Sequence, residues 1–391
     1  MNKVKLGIEK LIETPPKWLG EKRIGILVNQ ASVDRCLRHT ADLLMHSYPS
    51  TIKALFGPQH GIRGEKQDNM VESDDFIHPQ FNIPVFSLYG AARTPTGEML
   101  EQIDVLIIDL QDVGTRVYTF ITTMAYCLKA AQQHHKKVVV LDRPNPIGGI
   151  MVEGNLLKEE FRSFVGIYPL PMRHGLTIGE LALLFNNHYQ IGCELEIIPM
   201  EGWNRQMLFH ETGLHWIPPS PNMPTPLTAL VYPGQVVLEG TNLSEGRGTT
   251  SPFEYCGAPF INPYQLKKET QKRKLPGIYL REVFFQPTFN KWQNEVCGGV
   301  QIHLTDPEAY KPYHTTLALI QDCISLYPHH FAWRMPPYEY ETEKMPVDLL
   351  IGDKNVREGI ERQEDITLLE ESWQKELMSF REKARSCFIY H

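Results

Sequence analysis

The chain has 391 residues, of which 42 % are hydrophobic and 22 % charged, and its formal net charge is -7. This length exceeds what one simple core usually holds, so we expect two domains, residues 1–235 and residues 236–391. The negative charge repels phosphate backbones and therefore argues against a nucleic acid partner.

The seven cysteines are scattered along the chain, and no Cys-x-x-Cys pair is present. This pattern argues against a disulfide framework or a zinc ribbon. The first residues form no secretory signal, and no run of about 18 apolar residues is long enough to span a membrane. We therefore expect reduced thiols, a cytoplasmic location and no membrane partner.

Four short apolar runs in the first half predict buried strands, and they lie within Arg23–Gln30, Thr51–Gly61, Val105–Gly114 and Lys137–Pro146. Between the last two, Tyr118–His134 has apolar residues at helical spacing. Apolar strands that alternate with helices predict an α/β fold with a parallel sheet covered on both faces.

Polar residues directly follow each of these strands: Asn29 and Gln30; Gln59 and His60; Gln111 and Asp112; Asp142, Arg143 and Asn145. Ligands of open α/β sheets bind beyond the carboxyl ends of the strands, so we expect a site at this edge. The sequence contains neither GxGxxG after the first strand nor GxxxxGK[ST], which argues against a nucleotide site.

The middle of the chain carries one predicted helix and two predicted loops. Met172–Tyr189 is amphipathic, and Thr177 with Glu180 forms a capping-box pattern that favours a structural role for Glu180. Pro218–Pro226 is too rich in proline for a helix or a central strand. Leu238–Phe253 is rich in Gly, Ser and Thr and is predicted to be a functional loop. After about residue 255 the patterns predict a smaller α+β domain with a helical tail from Asp348.

The segment Gly57–Asp75 is the richest in acidic and basic groups, with His60, Arg63, Glu65, Asp68, Glu72, Asp74 and Asp75. Glycosidic cleavage needs a proton donor and usually a second carboxylate, although the acetamido group of a substrate sometimes replaces the latter. This loop is expected to supply the acid. Because HxH, HExxH and GxSxG spacings are absent, we expect neither a catalytic metal nor a Ser-His-Asp hydrolase.

Two further groups of residues suit a sugar ligand. Stacking on sugar faces is expected from a set of aromatic residues: Tyr118, Trp216, Tyr232, Phe253 and Phe289. An acidic sugar also needs a guanidinium to hold its carboxylate by paired hydrogen bonds. The candidates in polar segments bounded by Gly or Pro are Arg116, Arg143, Arg173 and Arg247.

Eight motifs occur in one order along the chain: FGPQHGIRGE, LYG followed by RTPTGEML, DLQDVGTRVYTFITTM, LDRPNPIGG, MRHGLTIGELA, PSPNMP, LEGTNLSEGRGTTSPF and PTFNKWQNEVCGGVQIHLTD. Together they resemble the NamZ-type exo-β-N-acetylmuramidase family, formerly catalogued as a domain of unknown function. The resemblance implies a Rossmann-like parallel-sheet domain followed by a smaller α+β C-terminal domain, with the active site in the cleft between them. It implies a small-molecule carbohydrate ligand, removal of non-reducing terminal N-acetylmuramic acid from muropeptide sugars, and no cofactor.

We assign roles to residues at the predicted site as hypotheses. Glu65 is the preferred general acid and Glu72 the second choice, while Asp112 is expected to polarise the acetamido group. His60 and Gln111 are expected to orient substrate or water. The remaining substrate-binding residues are expected to be Arg116, Tyr118, Arg143, Asn145, Arg173, His174, Asn222, Glu239 and Arg247, with the lactyl carboxylate held by Arg143, Arg173 or Arg247.

One position departs from the family pattern. Many members read Pro-Glu-His-Gly where this chain reads Pro58-Gln59-His60-Gly61, and the family glutamate looks like the catalytic acid. Since the amide of Gln59 is not an acid, two alternatives follow. Either the acid role passes to Glu65 or Glu72, or the chain binds muropeptide sugar without hydrolysing it.

Overall fold

A seven-stranded, mostly parallel sheet dominates the first half of the computed structural model, which describes residues 4–68 and 70–391. Residues 1–3, where the expected first domain begins, and Asn69 of the acidic loop lie outside the described residues. The sheet order is β3-β4-β2-β1-β5-β6-β7, and only the β3–β4 pair is antiparallel. The strands are β1 (Ile24–Val28), β2 (Ile52–Gly57), β3 (Phe76–Ile77), β4 (Pro84–Ser87), β5 (Val105–Asp109), β6 (Lys137–Leu141) and β7 (Leu195–Ile198).

All four predicted strands are confirmed, as β1, β2, β5 and β6, and so is the α/β class. The helices of this half are α1 (Gly7–Glu13), α2 (Trp18–Glu21), α3 (Thr40–Ser47), α4 (Gly97–Glu101), α5 (Phe120–Gln133), α6 (Ile178–Asn187) and α7 (Pro226–Gln235). The helix predicted between β5 and β6 is α5.

Helix α6 begins at the predicted capping box. The Thr177 hydroxyl accepts a hydrogen bond from the Glu180 amide at 3.2 Å, and the Glu180 carboxylate accepts one from the Thr177 amide at 3.1 Å. Glu180 also forms a buried ion pair with Arg205 at 2.7 Å, so its structural role is confirmed. The residues before the capping box are not helical, because Arg173 pairs with Glu153 through backbone hydrogen bonds in an extended segment.

The second half contains a three-stranded antiparallel sheet and six helices among its described residues. Strands β8 (Tyr255–Ala258), β9 (Ile278–Phe285) and β10 (Cys297–Leu304) run in the order β8-β10-β9. The helices are α8 (Pro263–Gln271), α9 (Pro312–Leu326), α10 (Pro346–Ile351), α11 (Lys354–Glu361), α12 (Ile366–Ser372) and α13 (Gln374–Arg385). This arrangement confirms the predicted α+β part. In the described part of the chain, every helix is too short or too polar to cross a lipid bilayer.

Apolar side chains cover both faces of the parallel sheet. Ile26 and Ile107 belong to one buried cluster, whereas Leu27 and Leu106 belong to another on the opposite face. Successive residues of a strand point to opposite faces, which explains why the strands read as continuous apolar runs. The larger cluster also contains Leu317 of α9, so the two halves of the chain share one core.

Arg116 ties the two halves together. Its fully buried guanidinium donates to the carbonyls of Asn155 and Leu170 at 3.1 and 2.9 Å, and to those of Leu350 and Ile351 at 2.6 and 2.7 Å. The last two carbonyls end helix α10, where the helix itself supplies no donor. Arg116 therefore serves the fold, which corrects the substrate contact expected from the sequence.

We expect Arg116→Met to lower the free energy of unfolding by about 3 kcal/mol or more, because four buried carbonyls lose a charged donor. Chemical denaturation would measure this. Arg162→Met is the matched control, because its side chain is 47 % exposed and forms a surface ion pair with Glu159; its effect should stay within about 0.5 kcal/mol. Equal midpoints for the two variants would contradict the role given to Arg116.

Candidate active site

A cavity lies beyond the carboxyl ends of β2 and β5, and both halves of the chain line it; its empty space, open solvent included, is about 500 Å³. The N-terminal half supplies the segment after β2, the segment before α5 and the proline-rich loop. The C-terminal half supplies residues that follow α7 and a loop before α10. The lining residues are Gln59, His60, Val117, Tyr118, Thr119, Phe120, Val165, Ser220, Asn222, Met223, Tyr232, Glu239, Arg247, Phe253, Tyr338 and Glu339.

The position of the cavity follows from the sheet topology. Strand β1 lies between β2 and β5. The strands that follow β1 in the chain are added first on the β2 side and then, from β5 onward, on the opposite side, so the strand order reverses next to β1. Open α/β sheets form their ligand crevice at such a reversal. Here the proline-rich loop covers the crevice over β1, because the side chains of Asn29 and Gln30 donate to the carbonyls of Pro219 and Pro218. The cavity is consequently lined from the β2 and β5 sides.

Two of the polar residues predicted at the strand ends are used to hold the main chain. The Gln111 amide donates to the carbonyls of Asp112 and Pro144 at 2.8 and 3.0 Å. The Asn145 amide donates to the carbonyl of Leu176 at 2.9 Å. Both side chains are buried and neither lines the cavity. Their expected substrate contacts are therefore corrected to structural roles.

Arg143, Arg173 and His174 are also buried away from the cavity. Arg143 is paired with the Asp109 carboxylate at 2.9 Å, and the Arg173 guanidinium donates to the carbonyl of Ile147. The His174 ring accepts a hydrogen bond from the Leu176 amide at 3.1 Å. The structure therefore leaves Arg247 as the one cavity arginine among the four predicted, all of which are described.

Asp112 lies behind the cavity wall, not in it. One carboxylate oxygen accepts from the Gly114 amide at 2.7 Å, and the other is buried without a hydrogen-bond partner in the described part of the chain. Burial raises the pKa of the Tyr118 hydroxyl, and the nearby Asp112 carboxylate adds to that effect. Asp112 thus acts on a lining residue, which differs from the direct contact with an acetamido group expected from the sequence.

The acidic loop contributes His60 but neither predicted acid to the cavity. Glu65 and Glu72 are both exposed and lie outside the lining, and the Glu72 carboxylate accepts from the Tyr340 hydroxyl at 2.9 Å. The geometry therefore gives no support to Glu65 or Glu72 as the general acid. His60 bonds the carbonyl of Lys66 through Nδ1 at 2.7 Å.

A charge-balanced cluster surrounds Arg247. Its guanidinium donates to Glu239 at 2.6 Å and lies 3.2 Å from Glu245, which also pairs with Lys291 at 2.7 Å. The Tyr338 hydroxyl donates to the second oxygen of Glu239 at 2.7 Å. Glu239 and Arg247 thus present a fixed carboxylate and a fixed guanidinium to the cavity.

Glu339 is a lining residue that the sequence analysis missed. Its buried carboxyl group accepts hydrogen bonds from the Tyr89 hydroxyl at 2.7 Å and from the Gln59 amide at 3.2 Å. The Thr119 hydroxyl donates to the carbonyl oxygen of Gln59 at 2.6 Å and so fixes the amide. The available signal was the segment Pro336–Glu341, where glutamates alternate with tyrosines after two prolines.

Aromatic rings form an apolar wall beside these polar groups. Tyr118, Tyr232 and Phe253 line the cavity and contact one another edge to face, with ring centroids 5.8 and 4.8 Å apart. Trp216 and Phe289, also predicted to stack on sugar, lie outside the lining. Asn222 lines it and donates to the carbonyl of Gln67 at 2.9 Å. An apolar wall with a few fixed polar groups is typical of small-molecule sites.

In residues 4–68 and 70–391, His, Cys, Asp and Glu side chains form no group of three suited to hold a metal ion. The cavity instead offers two carboxyl groups, a guanidinium, hydroxyls and aromatic faces. This set matches the groups that glycoside hydrolases use. The fold and the site therefore define the class of the protein as an open α/β protein with a site of the glycoside hydrolase kind.

Known proteins share this fold and part of this sequence. Two proteins of the DUF1343 family from Bacteroides fragilis have solved structures that superpose on the whole chain, with TM-scores of 0.90 and 0.78 at 34 % and 27 % identity, covering 100 % and 99 % of those chains. The peptidoglycan β-N-acetylmuramidase NamZ of Bacillus subtilis is 42 % identical over 388 residues, covering 99 % of this chain and 92 % of that protein. The N-terminal and C-terminal profiles of exo-β-N-acetylmuramidase NamZ match residues 24–227 and 230–390. The chain therefore belongs to the NamZ family.

We expect the pKa of the His60 ring to lie well below that of an ordinary histidine, because burial lowers it to about 4. Its ring should stay neutral down to about pH 5, which histidine-selective NMR titration with a His60→Gln variant for assignment would show. In the unfolded chain the same ring binds its proton near pH 6.5, whereas in the folded protein it does not. The free energy of unfolding should therefore fall as the pH drops from about 6.5 toward 4. A midpoint near 6.5 for His60, or an unchanged pH dependence in His60→Gln, would contradict this assignment.

Proposed function

We propose that this chain is an exo-acting glycoside hydrolase that releases N-acetylmuramic acid from the non-reducing end of peptidoglycan fragments. The proposal is supported by membership of the NamZ family and by the peptidoglycan β-N-acetylmuramidase activity for which the Bacillus subtilis relative is named. The cavity is lined by residues from both halves of the chain and combines aromatic rings with a few fixed polar groups, as small-molecule sites do.

The single observation that carries the proposal is the presence of two buried carboxyl groups, Glu239 and Glu339, on the wall of one cavity. Hydrolysis of a glycoside needs a proton donor, and a second negative group assists at the anomeric carbon. The two groups have different partners, since Glu239 pairs with Arg247 while Glu339 is bonded by neutral donors. The alternative of sugar binding without hydrolysis has less support, because the replacement at Gln59 leaves an acid in the cavity.

Arg247 is the proposed contact for the lactyl carboxylate that distinguishes muramic acid from glucosamine. It is the predicted arginine that lines the cavity, and a guanidinium suits a carboxylate because of its planar, paired donors. His60 adds no positive charge at neutral pH, because burial holds its pKa at about 4.

We also propose that the protein acts in the cytoplasm on fragments of the cell wall. All seven cysteines, each within the described residues, are free thiols, and six of them are buried. Unpaired cysteines in this number fit a reducing compartment. Fractionation of cells with an antibody against the chain, beside marker proteins of the cytoplasm and the envelope, would test the location.

The first test of the activity is turnover of 4-nitrophenyl N-acetyl-β-muraminide beside the matching N-acetyl-β-glucosaminide. We expect release of nitrophenol from the muraminide only, because the two sugars differ in the lactyl group proposed to reach Arg247. Equal release from both sugars would contradict the proposed specificity, and release from neither would contradict the proposed hydrolysis.

Replacement of Arg247 by lysine tests the carboxylate contact while one positive charge remains beside Glu239 and Glu245. We expect Arg247→Lys to weaken binding of N-acetylmuramic acid about tenfold, which corresponds to ~1.4 kcal/mol, and that of N-acetylglucosamine by less than about twofold. Calorimetry would measure both dissociation constants. Arg281→Lys, an exposed arginine on β9, is the matched control. An equal loss for both sugars would count against a lactyl contact.

A further inference from the structure

Glu339 occupies a backbone conformation that the structure has to enforce. Both Glu339 and the following Tyr340 lie in the left-handed region, with φ of 43° and 69°. Residues other than glycine rarely adopt it, and such positions concentrate at functional sites because surrounding contacts must maintain them. Two other lining residues, His60 and Phe253, share the feature, with φ of 70° and 64°. Glu339 thus lies on the cavity wall in a backbone conformation that its surroundings must maintain.

The surroundings of Glu339 favour a protonated carboxyl group. In the described part of the chain no basic side chain lies within ion-pair distance of it, whereas Glu239 has Arg247. The charged and titratable groups that act on it are Tyr89, Arg93, Tyr232, Glu239 and Tyr338. Burial raises the pKa of Glu339, and the Glu239 carboxylate adds to that rise, while the Tyr89 hydroxyl, the Gln59 amide and the charge of Arg93 oppose it. A raised pKa is the direction that a general acid needs.

Gln59 holds this acid without competing with it. Its amide donates to Glu339 at 3.2 Å while its carbonyl oxygen accepts from the Thr119 hydroxyl. A glutamate at position 59 would place a second carboxyl group at that distance, and the two groups would share one proton. The amide removes this coupling and leaves Glu339 as a single titrating group.

We propose that Glu339 is the catalytic acid that protonates the leaving glycosidic oxygen, with Gln59 and Tyr89 as positioning residues; this proposal rests on the hydrolase function proposed above. As the bond from the anomeric carbon to the glycosidic oxygen breaks, its electron pair stays on the oxygen and the proton of Glu339 moves to it. The aglycone thus departs as an alcohol. A water molecule supplies the new hydroxyl group at the anomeric carbon, and the proton that this water loses restores the acid form of Glu339.

The test compares two leaving groups in the Glu339→Gln variant. The substrates are the disaccharide of N-acetylmuramic acid β-linked to N-acetylglucosamine, whose leaving group needs a proton, and the 4-nitrophenyl muraminide, whose leaving group does not. We expect kcat for the disaccharide to fall about 100-fold to 10,000-fold and kcat for the nitrophenyl glycoside less than about tenfold. Glu343→Gln, the same replacement at an exposed position of the same loop, is the matched control and should leave both rates unchanged.

A loss of equal size on both substrates would reveal a structural role and overturn the assignment, as would an unchanged rate on the disaccharide. If the wild-type protein cleaves neither substrate, the hydrolase function itself fails, so the two failures are distinguishable. Glu65→Gln, measured in parallel, should lose at least tenfold less activity on the disaccharide than Glu339→Gln. A larger loss in Glu65→Gln would return the acid role to the exposed loop.

A second measurement uses the pH profile and does not depend on the Glu339 variant. In Gln59→Glu, an ionised neighbour should raise the pKa of the acid, so the alkaline limb of kcat/KM should move up by about one pH unit or more. Tyr89→Phe should move the same limb in the same direction by less, because it removes a donor that favours the carboxylate. An alkaline limb that stays in place in both variants would show that neither residue contacts the acid, and the proposal would fall.

Discussion

The geometry of the cavity depends on the contact between one buried guanidinium and the end of one helix. Arg116 binds the final carbonyls of α10, and the four residues that follow it, Val117–Phe120, form part of the cavity wall. The loop that carries Tyr338 and Glu339 leads directly into α10. One side chain therefore links the wall from the parallel sheet to the wall from the C-terminal half. The charge of Arg116 is satisfied by carbonyl dipoles, which helix ends supply without a partner of their own.

The carboxyl edge of the parallel sheet is where both the topology and the sequence place the site, yet most polar side chains at that edge do not face it. Asn29, Gln30, Gln111 and Asn145 each donate to a main-chain carbonyl of a loop. Loops that pack over a sheet bury backbone groups, and each buried carbonyl needs a donor. The strand-end amides meet this need. The cavity opens at Gln59 and His60, where the covering loop ends.

The sequence predicted local features well, because strand and helix signals depend on neighbouring residues. Continuous apolar runs located β1, β2, β5 and β6, and the Thr177 and Glu180 pair located the start of α6. Strand β3 escaped prediction because it has only two residues and both are exposed.

The site was harder to predict, because its contacts join distant segments. Gln59 and Glu339 are 280 positions apart, and no local pattern indicates that they meet. The many charged residues of the acidic loop led to the prediction that Glu65 is the general acid, but that side chain is exposed. Burial, which decides whether a carboxyl group keeps its proton, is a property of the folded chain. The replacement at Gln59 was visible in the sequence, whereas the carboxyl group beside it was not.

The two carboxyl groups of the cavity illustrate how partners divide roles between identical side chains. Glu239 lies against Arg247, so its negative charge is balanced within the wall and costs little to maintain. Glu339 receives only neutral donors in the described residues and lies near a carboxylate, so its neutral form is favoured. An acid and a base can work in one small cavity only when their environments separate their proton affinities in this way. The amide of Gln59 fits this arrangement, because a third carboxyl group beside Glu339 would titrate together with it and reduce the difference in proton affinity between Glu339 and Glu239.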